Sequence, residues 1–425
     1  MSESSPGKKS ISAIKGTKDI LPREARAWQQ AENIAKNVFE LYGYREIRAP
    51  VFEATELFEK GTGQTSDIVI KEMYTFTDKG GRSVTLRPEY TPSVVRAIIE
   101  HRLYLQPGPL RFYYIGPMFR YDKPQKGRYR QFHQIDIEVF GESDPAIDAE
   151  IVEMADYLLQ ELRISDTETL VNSVGCRKCR PAYIKELRTA AQAVAASLCA
   201  DCQRKVTTNP LRIFDCKIET CGELARRFPE ITAYLCAECD DHFRNFRAYL
   251  DLYGIPYRIE PRLVRGIDYY TKTTFEITTV KLGAQNAVVG GGRYDDMMKD
   301  FGGPDICGIG FAAGMERLLS VARLEKKPES FVFIAHLGSE AKKVALGIAR
   351  DLRRQAVECL LEFKERGLKA QLGRASKLQA SWSLIIGEEE IKKGQFLLKN
   401  MKTGVQREVR LEDIPDLVRT ESRQD

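Results

Sequence analysis

The stretch that most constrains this chain is residues 111–141, RFYYIGPMFRYDKPQKGRYRQFHQIDIEVFG, which predicts a β-hairpin carrying a long basic loop. The first arm, 111–120, is rich in aromatic residues. The second, 131–140, alternates, with Ile135, Ile137 and Val139 on one face and Gln134, Asp136 and Glu138 on the other. A solvated sheet face would alternate in the same way. Strands this rich in Phe, Tyr and Ile usually sit mid-sheet, however, where a carboxylate without a partner is costly, so the polar face calls for a ligand with cationic or amide groups. Between the arms, Lys123, Lys126, Arg128 and Arg130 join Arg120 to set five cations in eleven residues against the carboxylate of Asp122. Such a loop predicts solvation rather than packing, and an anionic partner, with phosphate the obvious candidate.

A chain of 425 residues has length for two to four domains. The leader MSESSPGKKS lacks the apolar centre of a signal peptide, and no run of about 18 apolar residues occurs anywhere, so the expectation is a cytoplasmic protein with no membrane span. A net charge of +5 is compatible with a polyanion partner without demanding one.

In chain order, a turn at 16–22 leads into a helix ended by Gly43, and 44–51 reads as a strand stopped by Pro50. A helix-strand pair with an exposed edge suits a dimer interface or an ordinary domain edge. A hairpin at 73–76 and 83–86 is followed by RPEYTP, where Glu89 and Thr91 at a strand-to-helix corner suit a ligand amine; helix capping is the alternative. An amphipathic helix spans 146–162. Glycines 290–292 are neither a P-loop nor a dinucleotide fingerprint and read as a tight turn. Gly308, Gly310 and Gly314 interrupt a strand and open a helix at Met315, as where a flat ligand lies close to backbone, and Arg317 follows on that helix. Past a charged linker at 326–330, the last 95 residues read as an α/β module: a strand at 331–338, helices at 339–354 and 357–366, short strands at 369–372 and 383–386, and a hairpin at 395–411.

Between 171 and 260 the chain turns helical and cysteine-rich. Cys176 and Cys179, Cys199 and Cys202, Cys216 and Cys221, and Cys236 and Cys239 form four close pairs. In a cytosolic chain thiolates at this spacing suit structural Zn²⁺, eight ligands serving two ions; an iron-sulfur cluster and unligated thiols are the alternatives. Cys307 and Cys359 read as buried thiols.

Taken together, GTKDILP, YGYREIRAPVFE, LRPEYT, FRYDKPQKGRYRQFHQIDIEVFG, LVRGIDYYT and GIGFAAGMERL, in this order, resemble the class II aminoacyl-tRNA synthetases and, within them, the histidyl-tRNA synthetase family. The resemblance implies an α+β fold. An antiparallel-sheet catalytic domain (1–170 and 261–325) would carry a helical cysteine-rich insertion (171–260) and be followed by a C-terminal α/β anticodon-binding domain (330–425). It implies a histidine-tRNA ligase that forms histidyl-adenylate from L-histidine and ATP with Mg²⁺, then transfers histidine to the 3′ end of tRNA(His), acting as a homodimer.

The same resemblance implies roles residue by residue. Arg120 is expected at the α-phosphate, Arg317 at the γ-phosphate, and Arg265 as a catalytic arginine near the α-phosphate. Glu89, Tyr90, Thr91 and Gln134 would line the amino-group site, Glu138 and Tyr270 the imidazole site, with Tyr269 and Gly308 as walls. Gln125 and Arg128 would read the acceptor end of tRNA, with Lys126 and Arg130 on phosphates. Asp122 stands where the family more often has Glu on the adenine side, and Tyr90 where Gly is common. The main rival is a synthetase-like regulatory subunit of histidine biosynthesis; a plain RNA-binding protein would explain the basic loop but not Glu89, Glu138 or RGIDYY.

Overall fold

The structure, a computed structural model, describes residues 11–421 except 64, 65, 67, 126, 284, 285 and 326–330, so Lys126 and the expected linker lie outside the described residues. The chain divides into two compact units, Met1–Leu324 and Glu325–Asp425.

In the first unit, proline in the opening turn starts α1 (Pro22–Leu41), which buries Ala31, Ala35, Val38 and Phe39 at helical spacing. Gly43, at φ +80°, turns the chain out of it. The strand expected over 44–51 shortens to β1 (Arg45–Glu46). Side chains take much of the backbone beyond it. The Tyr90 hydroxyl donates to the Ile47 carbonyl at 2.9 Å and accepts the Ala49 N–H at 2.7 Å, while the Arg87 guanidinium donates to the carbonyls of Ala49 and Pro50 at 3.0 and 3.2 Å. There follow β2 (Phe52–Ala54), α2 (Thr55–Thr62), β3 (Tyr74–Thr77) and β4 (Ser83–Leu86), with the three strands forming a small sheet in the order β2-β4-β3.

After α3 (Thr91–Glu100) comes the hairpin, β5 (Leu110–Phe119) and β6 (Gln131–Phe140), in unbroken register from Leu110 opposite Phe140 to Phe119 opposite Gln131. Next are α4 (Pro145–Glu161) and β7 (Thr167–Ser173), then the cysteine-bearing helices α5 (Arg180–Ala193), α6 (Ala200–Thr208), α7 (Glu219–Ala225) and α8 (Ala237–Tyr253). The chain returns through β8 (Tyr257–Ile259), β9 (Thr271–Thr279), β10 (Ala287–Arg293), α9 (Met297–Asp300), β11 (Gly308–Gly314) and α10 (Met315–Val321).

The large sheet runs β1-β5-β6-β11-β10-β9-β7-β8, antiparallel except at its two outermost pairs. Because β7 and β8 belong to this sheet, the helical part of the 171–260 segment begins after Ser173 and ends before Tyr257. On one face, Ile135, Ile137 and Val139 of β6 join α1, α4 and α8 in a continuous core. The glycines at 290–292 make no turn: they lie within β10, because the close approach of neighbouring groups, not chain reversal, excludes side chains there. An Arg293–Asp148 pair, both fully buried, ties β10 to α4, and His242 of α8 adds Nε2 to the same carboxylate at 2.9 Å.

The second unit is a five-stranded sheet, β13-β12-β14-β15-β16, built from β12 (Val332–His336), α11 (Ser339–Arg354), β13 (Cys359–Leu361), α12 (Leu368–Lys377), β14 (Trp382–Ile386), α13 (Glu388–Lys393), β15 (Phe396–Asn400), β16 (Gln406–Val409) and α14 (Ile414–Glu421). Two sequence expectations are reversed here. Residues 357–366 hold strand β13 rather than a helix, since Val357, Cys359 and Leu361 are buried at a period of two with Leu360 exposed. Residues 369–372 are helical, within α12, with Gln371 and Ala375 buried four apart. Among the described residues, no helix is long and apolar enough to cross a membrane.

Candidate active site

Strand β6 lies third in the sheet, and on its polar face Asp136 and Glu138 are buried and Gln134 half-buried, the mid-sheet outcome of the two that the alternation allowed. Asp136 and Glu138 are 3% and 4% exposed. Glu138 accepts the Thr91 hydroxyl at 2.5 Å from the start of α3 and the Tyr294 hydroxyl from just beyond β10. Glu89, equally buried, accepts Thr62 at 2.6 Å and Tyr269 at 3.0 Å. Tyr269 packs against Tyr270 and Tyr294, with ring centroids 4.8 and 5.5 Å apart.

Two acceptor groups in this row lack such donors: among the described residues, neither Asp136 oxygen nor Gln134 Oε1 has a hydrogen-bond partner. Burial pushes the carboxyls of Glu89, Asp136 and Glu138 up; the other two acids reinforce this at Glu138, while Arg87 and Arg120 pull Asp136 back. A pocket so lined favours a ligand that brings N–H donors or positive charge.

Cations gather beside it. Arg120, directly after β5, donates Nε to the Pro88 carbonyl at 2.8 Å and lies over the Phe132 ring. Arg265 pairs with Glu276 of β9 and rests on the backbone of β10, where a side chain at Gly290 would collide with its guanidinium. Gly310 on β11 is bare for a similar reason, since a Cβ would meet the Ile137 carbonyl and the Glu138 carboxylate. Arg317, in the first turn of α10, donates to the carbonyls of Ala287 at 3.0 Å and Gly127 at 3.4 Å. Burial, then the charges of Arg128, Arg265 and Arg120, pull the Arg317 guanidinium down, against the opposing effect of Glu276. The charges of Arg120, Arg128 and Arg265 thus all reach Arg317, with Arg128 paired to Asp122 and Glu72 and Arg265 to Glu276.

The basic loop departs from expectation. It is half-buried and internally paired: Arg128 bridges Asp122 and Glu72, and Arg130 stacks over Tyr121, 4.0 Å from its ring centroid. Gln125 is exposed at the tip, its backbone exchanging hydrogen bonds with Arg128. Asp122 thus holds an arginine rather than standing free toward a purine. Tyr90 spends its hydroxyl on Ile47 and Ala49 and stacks on Tyr114. Thr62 and Tyr294, which donate to Glu89 and Glu138, are residues that the motifs did not single out.

The eight cysteines resolve into two groups. Cys176, Cys179, Cys236 and Cys239 form one; Cys199, Cys202, Cys216 and Cys221 form the other, nested inside it along the chain. In each group all four sulfurs lie within 4.8 Å of one another, and Sγ–Sγ distances are 3.8 Å for Cys176–Cys179 and 3.9 Å for Cys176–Cys236, Cys179–Cys239 and Cys199–Cys216. Burial pushes the Cys176 thiol up, but backbone N–H groups of Cys179 and Lys178 outweigh it and bring it to about 7; the Cys202 N–H does the same for Cys199.

The sequence profile described as histidyl-tRNA synthetase matches residues 16–318. The histidine–tRNA ligase of Halothermothrix orenii is 46% identical over 411 residues, covering 95% of this chain and 98% of that one. The chain belongs to the histidyl-tRNA synthetase family. A second relative, the histidine–tRNA ligase of Geobacter metallireducens, is 48% identical over 405 residues, with 95% and 98% coverage. The apo histidyl-tRNA synthetase of S. aureus superimposes with a TM-score of 0.81 at 35% identity, covering 96% of this chain and all of that one. Within this family the large sheet is the class II catalytic fold. The second unit, whose residues 331–421 match the profile of an anticodon-binding domain, completes the histidyl-tRNA synthetase architecture.

Proposed function

We infer that the chain activates L-histidine with ATP and transfers it to tRNA(His). The observation that carries this reading is the juxtaposition of a buried acidic row, in which Asp136 and Gln134 lack donors among the described residues, with Arg120 on the Pro88 carbonyl beside Glu89, Arg265 on the backbone of β10 at Gly290 and Arg317 on the Ala287 carbonyl at the start of the same strand. One half suits an amino acid with an ammonium and an imidazole; the other suits a triphosphate.

In the proposed reaction a carboxylate oxygen of histidine attacks the α-phosphorus, the bond to the bridging oxygen of the β-phosphate breaks, and pyrophosphate leaves. Charge builds on the phosphoryl oxygens, so preorganised cations supply the stabilisation. Arg120 and Arg265 take the α-phosphate and Arg317 the γ-phosphate. ATP enters as its Mg²⁺ complex, part of the substrate. Glu89, steadied by Thr62 and Tyr269, and Gln134 receive the ammonium. Glu138, steadied by Thr91 and Tyr294, receives an imidazole N–H, and Tyr270 closes the ring site. Other amino acids would leave these buried acceptors unsatisfied. The 3′ hydroxyl of the terminal adenosine then attacks the acyl carbon, and AMP leaves.

Gln125 at the loop tip, with Arg128 beside it, is the proposed contact for the acceptor end of the tRNA, and the anticodon-binding domain holds its other end. Exposed Leu41 and Phe52 near the edge strand β1 support a homodimer. Such a translation enzyme works in the cytoplasm. The thiolate groups suit structural zinc, since the phosphate and amino-acid residues lie on other elements. The regulatory-subunit reading loses ground because Arg120, Arg265 and Arg317 are all present beside an intact acidic row.

Pyrophosphate exchange with each of the twenty amino acids tests the reading. Exchange with histidine alone is expected; folded protein that exchanges with none would reverse it in favour of the regulatory subunit.

A further inference from the structure

Between Glu260 and Tyr270 the chain forms neither helix nor strand, yet it delivers Arg265, Tyr269 and Tyr270 to the site. Several of the hydrogen bonds that fix it come from the cysteine-bearing segment. Arg212 is buried and lies in the turn Pro210–Asp215, between Cys202 and Cys216. It donates to the Arg265 carbonyl at 3.1 Å and the Gly266 carbonyl at 2.5 Å, and pairs with Asp268 at 3.1 Å. Asn209 donates to the same Asp268 carboxylate at 3.0 Å. Arg180 directly follows Cys179, and donates to the Tyr270 carbonyl as well as those of Val174 and Gly175 at 2.8 and 3.0 Å. Arg262 reaches back to the carbonyls of Ala225 and Arg226, at the end of the helix that holds Cys221.

Arg180 opens the 14-residue α5, whereas Arg212 lies in a six-residue turn between two short helices. Helices α6 and α7 have nine and seven residues, too short to hold their place without tertiary support. The sulfurs give that support a form. Zinc at ~2.3 Å from each of four tetrahedral thiolates sets the sulfurs ~3.8 Å apart, which matches three separations of 3.8–3.9 Å in the Cys176 group and the 3.9 Å Cys199–Cys216 separation in the other, all sulfurs of each group lying within 4.8 Å. A disulfide needs ~2.05 Å, and a cluster of several irons would spread thiolates bound to different irons well beyond the span in which all four sulfurs lie here. Each group fits a single ion.

We propose that Cys176, Cys179, Cys236 and Cys239 bind one Zn²⁺, that Cys199, Cys202, Cys216 and Cys221 bind a second, and that the two ions, through Arg180 and Arg212, clamp both ends of the Arg265–Tyr270 segment and so set histidine affinity. The clamp rests on the histidine-activation reading; the metal sites do not. Arg180 and Arg212 are positioning residues. They hold backbone carbonyls and the Asp268 carboxylate, and the side chains of Arg265, Tyr269 and Tyr270 do the binding.

The test uses the full chain, purified without chelator, with metal content and pyrophosphate-exchange kinetics measured on one preparation. Two zinc ions per chain are expected, falling to one in Cys176→Ser and to one in Cys216→Ser. Arg212→Met should keep both ions yet raise the KM for histidine about tenfold, through Asp268 beside Tyr269, and raise the KM for ATP as well, through Arg265, and Arg212→Lys should recover part of both losses. Fewer than one zinc per wild-type chain, or a reddish mononuclear iron in its place, overturns the zinc assignment whether or not the cysteine variants fold. An unchanged histidine KM in Arg212→Met overturns the clamp. Wild-type protein holding two zinc ions but showing no histidine-dependent exchange would sink the functional reading while leaving the metal sites standing.

Discussion

The Tyr269 hydroxyl donates to Glu89 Oε2 at 3.0 Å, joining the RGIDYY segment to the corner between β4 and α3. Glu89 is buried, so removing this donor leaves a carboxyl oxygen to fend for itself. Tyr269→Phe should raise the histidine KM several-fold to tenfold, the effect of about 1 kcal/mol for one lost hydrogen bond, with the ATP KM near wild type. Equal changes in both would place Tyr269 outside the amino-group site.

Glu138 accepts from Thr91 and Tyr294 on the far side of the same row. Glu138→Ala should raise the histidine requirement in pyrophosphate exchange far more than the ATP requirement, by more than a hundredfold if a charge-assisted bond of about 3 kcal/mol is lost. Parallel loss on both substrates would remove it from the imidazole site.

Asp136 gives a pH signature. Burial holds its carboxyl well above the ordinary range, so the folded chain retains a proton that the unfolded chain releases. That contribution to stability is fully present below the unfolded pKa and lost as pH rises through the folded value. Asp136→Asn removes the titration, so the melting temperature of the variant relative to wild type should climb across a scan from pH 4 to pH 8. Scanning fluorimetry in the absence of ligands measures it, and a difference flat across that window would show an ordinary Asp136.

Arg293 and Asp148 behave oppositely. Their pair is fully buried, Arg293 Nε lying 2.8 and 2.9 Å from the two carboxylate oxygens. Arg293→Met strands a charge and should cost about 3–5 kcal/mol in urea unfolding, while Arg293→Met with Asp148→Leu should recover part of that loss. No recovery would mean that the Arg293 bonds to the carbonyls of Glu142 and Asp144 carry the stability instead.

The hairpin and the acidic row were legible because period-two alternation and aromatic content are local signals, and β5 and β6 pair across a single loop. Tyr294 and Thr62 were not, since Tyr294 reaches Glu138 only when β10 and β6 enter one sheet and Thr62 reaches Glu89 only when the end of α2 packs on the corner before α3, and nothing beside them in sequence marks the partner. The glycines at 290–292 were misread because a turn and a backbone crowded by Arg265 call for the same residue. In the second unit, β13 and α12 changed places: a three-residue strand carries too few alternations to outweigh its charged flanks, and Gln371, buried against the His336 backbone, hid the helical face. The cysteine pairs were plain, but which pair joins which depended on how the segment folds back on itself.

The position of β6 between β5 and β11 also bears on the birth of the chain. During synthesis the β5–β6 hairpin emerges long before β11, and Ser173 must wait for Thr273, across the whole cysteine-bearing segment, before β7 can meet β9. Until then β6 presents an open edge, the kind of surface on which nascent chains stick to one another. Exposed to water, Asp136 and Glu138 would carry charge there, and like charges beside a bare edge disfavour pairing with a second copy. The acids that end as the lining of the pocket begin as the guard on the strand that carries them.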